Sequence, residues 1–114
     1  MYCNDLTNFS RFKTREVLVG NIGVGSSNPI RLQSMTTTNT MDTNASVEQI
    51  IRMIQSGCEI VRLTAPSIKE AKNLYEIKNK LHQQGHYVPL VADIHFTPNA
   101  AIEAAKIVEK VRIN

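Results

Sequence analysis

Short apolar runs alternate along the chain with longer stretches in which apolar residues recur every three or four positions. The runs at residues 29–36, 59–64, 88–96 and 110–114 have the length and composition of buried parallel strands. The stretches between them have the periodicity of amphipathic helices. This order of strands and helices is typical of an α/β protein built on a parallel sheet.

Capping residues mark where the three predicted helices begin and end. Two capping boxes open the first two helices: Ser46 with Gln49, and Ser67 with Glu70. Gly57 and Gly85 are placed to end them. The third helix is predicted to begin after Thr97, with Pro98 in its first turn, and to extend to about residue 109. The predicted buried positions are Val47, Ile50, Ile51 and Ile54 in the first helix, and Ile68, Ala71, Leu74, Tyr75 and Leu81 in the second.

The first 25 residues have a different pattern. Residues 1–14 are polar and aperiodic, and we expect them to form a flexible lead-in. Residues 16–25 contain two short β-prone pieces about Gly20-Asn21, which is the dipeptide chemistry of a tight hairpin. A hairpin at this place can plug the closed end of a barrel of strands and helices.

The number of predicted strands is half of what a closed barrel contains. A complete (β/α)8 barrel has eight strands and needs about 250 residues. We therefore predict that residues 15–114 are the N-terminal half of a TIM (β/α)8 barrel, preceded by a β-hairpin and truncated after strand four. A flavodoxin-like sheet is the alternative, but polar residues at the strand ends favour a barrel.

Composition narrows the class of partner. The chain has 114 residues, 42% of them hydrophobic, with a net charge of +3 and a pI of about 9.0. The basic residues are scattered, so nucleic acid is not expected as a partner and an anionic small molecule fits better. No apolar run approaches membrane-spanning length, and no signal peptide is visible. Cys3 and Cys58 form neither a disulfide framework nor a CxxC pattern, which favours a reducing, cytoplasmic location.

Polar side chains two residues apart stand near the carboxyl ends of three predicted strands, where residues i and i+2 share one face. The pairs are Arg62 with Thr64, Asp93 with His95, and Arg112 with Asn114. Ala92, Ile94 and Phe96 are predicted to take the opposite, buried face of the third strand. Because a barrel gathers these strand ends at one opening, here called the mouth, we expect the polar pairs to form a single site.

The residue types at the mouth point to an anionic ligand. Arg62 and Arg112 carry guanidinium groups, which grip phosphate oxygens through paired donors. We predict that these two arginines and Asn114 bind substrate. Asp93 would orient an arginine or accept from a ligand hydroxyl, and His95 would donate to the anion or move a proton, so both are also catalytic candidates. The alternative is that each arginine merely pairs with an acid such as Asp93.

Two other interpretations of the same residues remain open. Asp93 and His95 are spaced as two ligands of a catalytic metal in another barrel enzyme. We rank this second and assign no metal ligand, because a metal site needs further carboxylates or histidines and the other strand ends offer arginine. Cys58 stands just before the second strand and is predicted to be a small buried residue. The third interpretation is a half-barrel that binds or acts as a scaffold without activity.

Four segments together resemble 4-hydroxy-3-methylbut-2-enyl diphosphate synthases, from about residue 14 onward. The segments are Pro29–Thr36, Gly57–Arg62, Pro89–Phe96 and Lys110–Asn114. The resemblance implies an oxidoreductase of isoprenoid precursor biosynthesis, in the non-mevalonate pathway. The enzymes of this family reductively open 2-C-methyl-D-erythritol 2,4-cyclodiphosphate to 4-hydroxy-3-methylbut-2-enyl diphosphate.

The same resemblance implies what lies outside this chain. In the family, the barrel holds the cyclic diphosphate and a C-terminal domain carries a [4Fe-4S] cluster held by three cysteines and a glutamate. Ferredoxin or flavodoxin supplies the electrons, and we expect the full-length parent to be a homodimer. This sequence departs from the family by stopping about where strand four ends. We therefore expect the 114-residue chain alone to hold no cluster and to be inactive.

Overall fold

A computed structural model describes residues 5–114 of the chain. Residues 1–4, which include Cys3 and the beginning of the predicted lead-in, lie outside the described residues. The chain divides into two compact units, one that extends to Ile30 and one that spans Arg31–Asn114. Within residues 5–114, no helix is both long and apolar enough to cross a membrane.

The first unit contains an antiparallel pair of strands, β1 (Val17–Val19) and β2 (Ile22–Val24). They lie on either side of the Gly20-Asn21 dipeptide, where the sequence predicts a hairpin. Gly20 has a φ of 61°, a left-handed conformation that glycine adopts without steric cost. Residues 5–14 contain no helix or strand, and their flexibility stays a prediction.

The second unit is a four-stranded parallel sheet with its helices between successive strands. The strands pair in the order β3-β4-β5-β6, and every pair is parallel. This confirms the predicted α/β class and the parallel sheet. The elements are β3 (Gln33–Met35), α1 (Thr43–Gln55), β4 (Ile60–Ala65), α2 (Ile68–Gln83), β5 (Leu90–Ile94), α3 (Pro98–Ala105) and β6 (Lys110–Ile113).

One face of the sheet packs on the helices and makes the core. Val61, Leu63 and Ala65 alternate along β4 and are fully buried against this layer, as strand geometry requires of residues that share a face. The stripe of α2 that meets them includes Leu74 and Ile77, both fully buried. Arg62 and Thr64 alternate with the three buried residues of β4. They therefore belong to the other face of the sheet.

Two predicted strands are shorter than their apolar runs. The run at 29–36 forms a strand only at Gln33–Met35. Just before it, Leu32 N donates to the Glu59 carboxylate and not to a backbone carbonyl of a neighbouring strand, and the same carboxylate accepts from Arg31 Nη1.

The second shortened run, at 88–96, forms a strand only at Leu90–Ile94. It ends where both neighbours end, since Ile94 pairs with Ala65 on one side and with Ile113 on the other. His95 and Phe96 therefore lie beyond the strand. Phe96 is 87% exposed, so its predicted burial beside Ala92 and Ile94 is wrong.

The predicted capping box at Ser46 and Gln49 is also wrong. The first helix starts one turn earlier, with Asp42 as its N-cap, and the Asp42 carboxylate accepts from Ala45 N at 3.1 Å. Ser46 is therefore inside the helix and fully buried. The third helix ends at Ala105 and not near residue 109. At this end, the carbonyl of Ala104 accepts from both Ile107 N and Val108 N.

The second helix follows the prediction more closely. Ser67 is its N-cap, although the Ser67 hydroxyl donates to the Glu70 carboxylate and not to the helix backbone. This hydrogen bond holds the pKa of Glu70 below its usual range. Tyr75 is 55% exposed, so its predicted burial is wrong, and Ile77 fills the core instead. Gly85 ends the helix with a φ of 81°.

Candidate anion-binding site

Asp93 stands at the centre of a row of polar residues on the face of the sheet away from the helices. In the parallel register, Asp93 of β5 pairs with Thr64 of β4 on one side and with Arg112 of β6 on the other. Paired residues of parallel strands project to the same side. The Asp93 side chain is only 8% exposed, so its carboxylate is withdrawn from water and must be satisfied within the protein.

The two arginines predicted at the mouth both pair with this carboxylate. Arg62 Nη2 donates to Asp93 Oδ2 at 2.8 Å, and Arg112 Nη1 donates to Asp93 Oδ1 at 3.1 Å. Each carboxylate oxygen thus holds one guanidinium, and the two cations are kept beside each other. We call Arg62, Asp93 and Arg112 the arginine pair site. Its summed charge is +1, which leaves an attraction for an anion.

The protonation state of Asp93 follows from its surroundings. Burial raises the pKa of this carboxyl, but hydrogen bonds and charge from Arg62, together with those from Arg112, outweigh burial and lower it below the ordinary value of 3.8. The carboxylate is therefore ionised at neutral pH and holds both arginines.

This lowered pKa predicts a pH dependence of stability. A carboxyl with a depressed pKa in the folded state stabilises the protein above its unfolded pKa, and that contribution is lost as the pH falls through the folded pKa. We expect Asp93→Asn to lower the free energy of unfolding at pH 7, and the difference from the unsubstituted chain to shrink below about pH 3.8. Urea unfolding of both chains across this range measures it. A difference that does not change with pH would contradict the ion-pair interpretation.

Arg62 has donor capacity left over. Its Nε is buried and has no hydrogen-bond partner among the described residues. A buried donor without an acceptor costs free energy, and few native groups are left in this state. The Arg62 and Arg112 side chains are 26% and 41% exposed, so both remain reachable from solvent. A ligand in solvent can therefore reach both side chains, although the Arg62 Nε itself is enclosed by the protein.

His95 and Asn114 lie near this site without forming part of its ion pairs. His95 follows β5, and its Nε2 is 4.0 Å from Asp93 Oδ2, which is longer than a hydrogen bond. The His95 side chain is 39% exposed. Asn114 follows β6 and is exposed, and no hydrogen bond from it to the arginine pair site is present among the described residues. The structure thus brings together three of the predicted residues and leaves these two beside them.

Thr64 is hydrogen-bonded to a loop. Thr40, from the loop between β3 and α1, donates its hydroxyl to the Thr64 carbonyl at 2.7 Å and lies 3.3 Å from the Thr64 hydroxyl. Asn73 of α2 donates to the carbonyl of Thr40 at 2.7 Å and to Thr43 Oγ1 at 3.0 Å. The loop is therefore fastened across the carboxyl end of β4.

The residues that fasten this loop were not predicted from the sequence. Gln49 and Ser46 of α1 hold it as well, since Gln49 Oε1 accepts from Thr37 N and Ser46 Oγ donates to the Asn39 carbonyl. A signal does exist for Asn73. Asparagine is unfavourable inside a helix, so its presence in α2 indicates a specific hydrogen-bonding role.

The geometry gives little support to a metal at Asp93 and His95. Within residues 5–114, no three His, Cys, Asp or Glu side chains are grouped so that they could hold a metal ion. Both Asp93 oxygens already accept from arginines. Cys58 precedes β4, is half-buried, and donates its thiol to the Ile60 carbonyl at 3.0 Å.

Comparison with known proteins finds, over most of the chain, the family that the four sequence segments resemble. Residues 14–114 match the family described as the GcpE TIM-barrel domain. A relative from Akkermansia muciniphila, named 4-hydroxy-3-methylbut-2-en-1-yl diphosphate synthase (flavodoxin), is 56% identical over 99% of this chain and 19% of its own length.

More distant relatives carry related names. A Protochlamydia amoebophila protein of the same name is 51% identical over 99% of this chain and 17% of its own length. The Arabidopsis thaliana protein, named for ferredoxin and described as chloroplastic, is 46% identical over 99% of this chain and 15% of its own length. The chain therefore spans less than a fifth of the length of these relatives.

Proposed function

The chain belongs to the family of the GcpE TIM-barrel domain, and from this premise we propose that it supplies part of the substrate site of a 4-hydroxy-3-methylbut-2-en-1-yl diphosphate synthase. The reaction we propose for the full-length parent is the reductive ring opening of 2-C-methyl-D-erythritol 2,4-cyclodiphosphate. The product is 4-hydroxy-3-methylbut-2-enyl diphosphate, an isoprenoid precursor of the non-mevalonate pathway. The names of the relatives support the product and the oxidoreductase class.

We also propose that residues 15–114 are the N-terminal half of a (β/α)8 barrel. Four parallel strands in sequential order, with helices between them, are what half of such a barrel contains. The description of the matching family supports this proposal. In a TIM barrel, functional residues stand at the carboxyl ends of the strands. Asp93 and Arg112 are the next-to-last residues of β5 and β6, and Arg62 reaches Asp93 from the middle of β4.

The observation that carries the proposal is the bridging of Arg62 and Arg112 by Asp93. A guanidinium has five N–H donors, and each arginine gives one nitrogen to Asp93. Apart from the buried Nε of Arg62, the remaining donors are offered to phosphate oxygens. Without Asp93 the two cations would repel each other, so the carboxylate keeps them together beside one another. Arg62 and Arg112 thus form the diphosphate clamp, and Asp93 positions them.

His95 and Asn114 take supporting roles in this proposal. The His95 ring is at the edge of the arginine pair site, beyond hydrogen-bond distance of Asp93, so it can donate to the diphosphate or move a proton during ring opening. Asn114 follows β6 two residues after Arg112 and offers an amide to the same ligand. Neither role requires a metal ion bound to this chain.

The reaction consumes electrons, and we propose that flavodoxin or ferredoxin delivers them to a [4Fe-4S] cluster elsewhere in the full-length parent. Such clusters are held mainly by several cysteine thiolates. In residues 5–114 the one cysteine is Cys58, whose thiol donates to a backbone carbonyl at the amino end of β4. The described residues do not fit a cluster. We therefore assign this chain only binding, orientation and proton movement.

A chimera tests the proposed function. In it, this chain replaces the matching segment of the Akkermansia muciniphila relative, of which it covers 19%. Under anaerobic conditions with reduced flavodoxin, we expect the chimera to form product at a rate within about tenfold of the unmodified relative. The 114-residue chain alone should form none. A chimera that folds and shows the absorbance of the cluster, yet converts no cyclodiphosphate, would refute the proposal.

A further inference from the structure

The carboxyl end of β4 extends past the end of its neighbour β3. The strand β3 ends at Met35, which pairs with Arg62, whereas β4 continues to Ala65. Just after β3, Thr36 N still donates to Arg62 O at 2.9 Å. Carbonyls two residues apart on a strand point to the same side, so the Thr64 carbonyl faces the space where β3 has ended. A carbonyl in this place needs a donor from elsewhere.

Thr40 supplies that donor with its side chain. The Thr40 hydroxyl donates to the Thr64 carbonyl at 2.7 Å, so it takes the place that a strand N–H would have. Thr40 is 2% exposed. Because water has little access to this hydrogen bond, it is stronger than one at the surface. A single buried hydroxyl thus fastens the end of β4.

Thr40 is itself held in place by both neighbouring helices. From α2, Asn73 donates to the Thr40 carbonyl at 2.7 Å. From α1, Gln49 Oε1 accepts from Thr37 N at 2.9 Å and so holds the same loop nearer to its start. The loop at residues 36–42 is therefore a fixed support for β4, with hydrogen bonds to the strand and to the helix layer.

The part of β4 that Thr40 holds is the part that faces the centre of the arginine pair site. Thr64 lies opposite Asp93 in the register of β4 and β5. The Arg62 side chain, two residues earlier on the same face, reaches along the strand to Asp93 Oδ2 at 2.8 Å. Hydrogen bonds depend steeply on distance and angle, so a shift of this strand end would disturb the contact between Arg62 and Asp93.

We propose that Thr40 is a positioning residue of the diphosphate clamp, because it holds the end of β4 from which Arg62 meets Asp93 and the anion. Thr40 acts through Arg62 and needs no contact with the ligand. A binding group that is already held in place loses less freedom when the ligand arrives, and affinity rises accordingly. This inference rests on the proposed function, since the clamp is part of it.

Substitutions at Thr40 in the chimera test this role. Thr40→Val keeps the size and branching of the side chain but leaves the Thr64 carbonyl without its donor. By anaerobic calorimetric titration, we expect affinity for the cyclodiphosphate to fall about five- to twentyfold. Thr40→Ser keeps the hydroxyl and should bind within about twofold of the unsubstituted chimera. Thr43→Val is the matched control and should also bind within about twofold, because the Thr43 hydroxyl accepts only from Asn73, at 3.0 Å, among the described residues.

A double-mutant cycle separates positioning from a general effect on folding. In a chimera that already carries Arg62→Ala, Thr40→Val should weaken binding by less than about twofold, because no guanidinium is left to position. A purely structural role would weaken binding by the same factor in both backgrounds.

A second variant keeps the test decisive if Thr40→Val does not fold by circular dichroism. Asn73→Ala loosens Thr40 from the side of α2 and leaves the hydroxyl on β4 in place. In the same cycle it should weaken binding by about threefold, and only where Arg62 is present. Asn79→Ala is its matched control, since Asn79 lies on the same helix and its side chain has no hydrogen bond among the described residues.

The outcomes of these titrations separate the positioning role from the proposed function. Equal weakening in both backgrounds, no weakening, or a loss that Thr40→Ser does not restore would each overturn the positioning role. An active chimera in which the effects at Thr40 and Arg62 simply multiply would overturn only that role. A folded chimera that binds no cyclodiphosphate before any substitution would refute the proposed function and this role with it.

Discussion

Replacing Arg62 or Arg112 by alanine in the chimera should weaken binding of 2-C-methyl-D-erythritol 2,4-cyclodiphosphate by about tenfold to more than a hundredfold. Each arginine offers guanidinium donors beyond the one that it gives to Asp93. A charge-assisted hydrogen bond contributes roughly 1.5–3 kcal/mol, and about 1.4 kcal/mol corresponds to a tenfold change in affinity. Calorimetric titration under anaerobic conditions measures the change.

Lysine at the same positions should restore only part of the affinity, because an ammonium keeps the charge but loses the paired donors. Arg52→Ala is the matched control, since Arg52 lies on α1 and outside the ion pairs of the arginine pair site. It should bind like the unsubstituted chimera. If Arg62→Ala and Arg112→Ala also bound with unchanged affinity, the arginines would serve only to neutralise Asp93, and the clamp would be wrong.

Leu63→Ala should lower the free energy of unfolding of the 114-residue chain by about 2–5 kcal/mol. Leu63 is fully buried on the helix-facing side of β4, so its loss leaves a cavity between the sheet and the helices. Total stabilities of small domains are only about 5–15 kcal/mol, and this loss is a large part of that. Urea unfolding at fixed protein concentration gives the value, because association would shift the apparent stability.

The same substitution at an exposed position provides the control for Leu63. Leu18 in the hairpin is 64% exposed, so Leu18→Ala should change the free energy of unfolding by less than about 0.5 kcal/mol. Equal effects at the two positions would show that β4 does not form the core of the sheet. Because Leu63 stands between Arg62 and Thr64 but on the opposite face, its truncation tests packing separately from ligand binding.

The sequence predicted the order of strands and helices because burial sets a period that each element must keep. In β4 the fully buried residues alternate with Arg62 and Thr64, as the pattern requires. Element ends were less predictable, since they depend on partners far away in sequence. The run at 88–96 ends as a strand at Ile94 because both neighbouring strands stop there. Phe96 was misplaced for this reason.

Competition between two possible capping residues was a second limit on how well the sequence predicted where a helix begins. Ser46 and Gln49 match the capping-box pattern, but Asp42 four residues earlier also accepts from a helix N–H, and it is Asp42 that starts α1. Local pattern alone does not decide between two suitable caps. The displaced pair then serves the loop before the helix, through hydrogen bonds to Asn39 and Thr37.

The centre of the site was more predictable than its surroundings. Strand periodicity placed Arg62, Asp93 and Arg112 on one face, and the structure joins them through both oxygens of Asp93. The contact of Asn73 with Thr40 spans 33 positions along the chain, and no local pattern encodes it. His95 was expected on the strand, but it lies just past the end of β5, where its distance to Asp93 depends on the following loop.

A crystal structure of the chimera with bound 2-C-methyl-D-erythritol 2,4-cyclodiphosphate tests the central claim most directly. We expect diphosphate oxygens within hydrogen-bond distance, about 2.7–3.2 Å, of the guanidinium nitrogens of both Arg62 and Arg112. Asp93 should remain between the two arginines and hold them in place. A complex in which the diphosphate binds elsewhere, while both arginines contact only Asp93, would contradict the clamp.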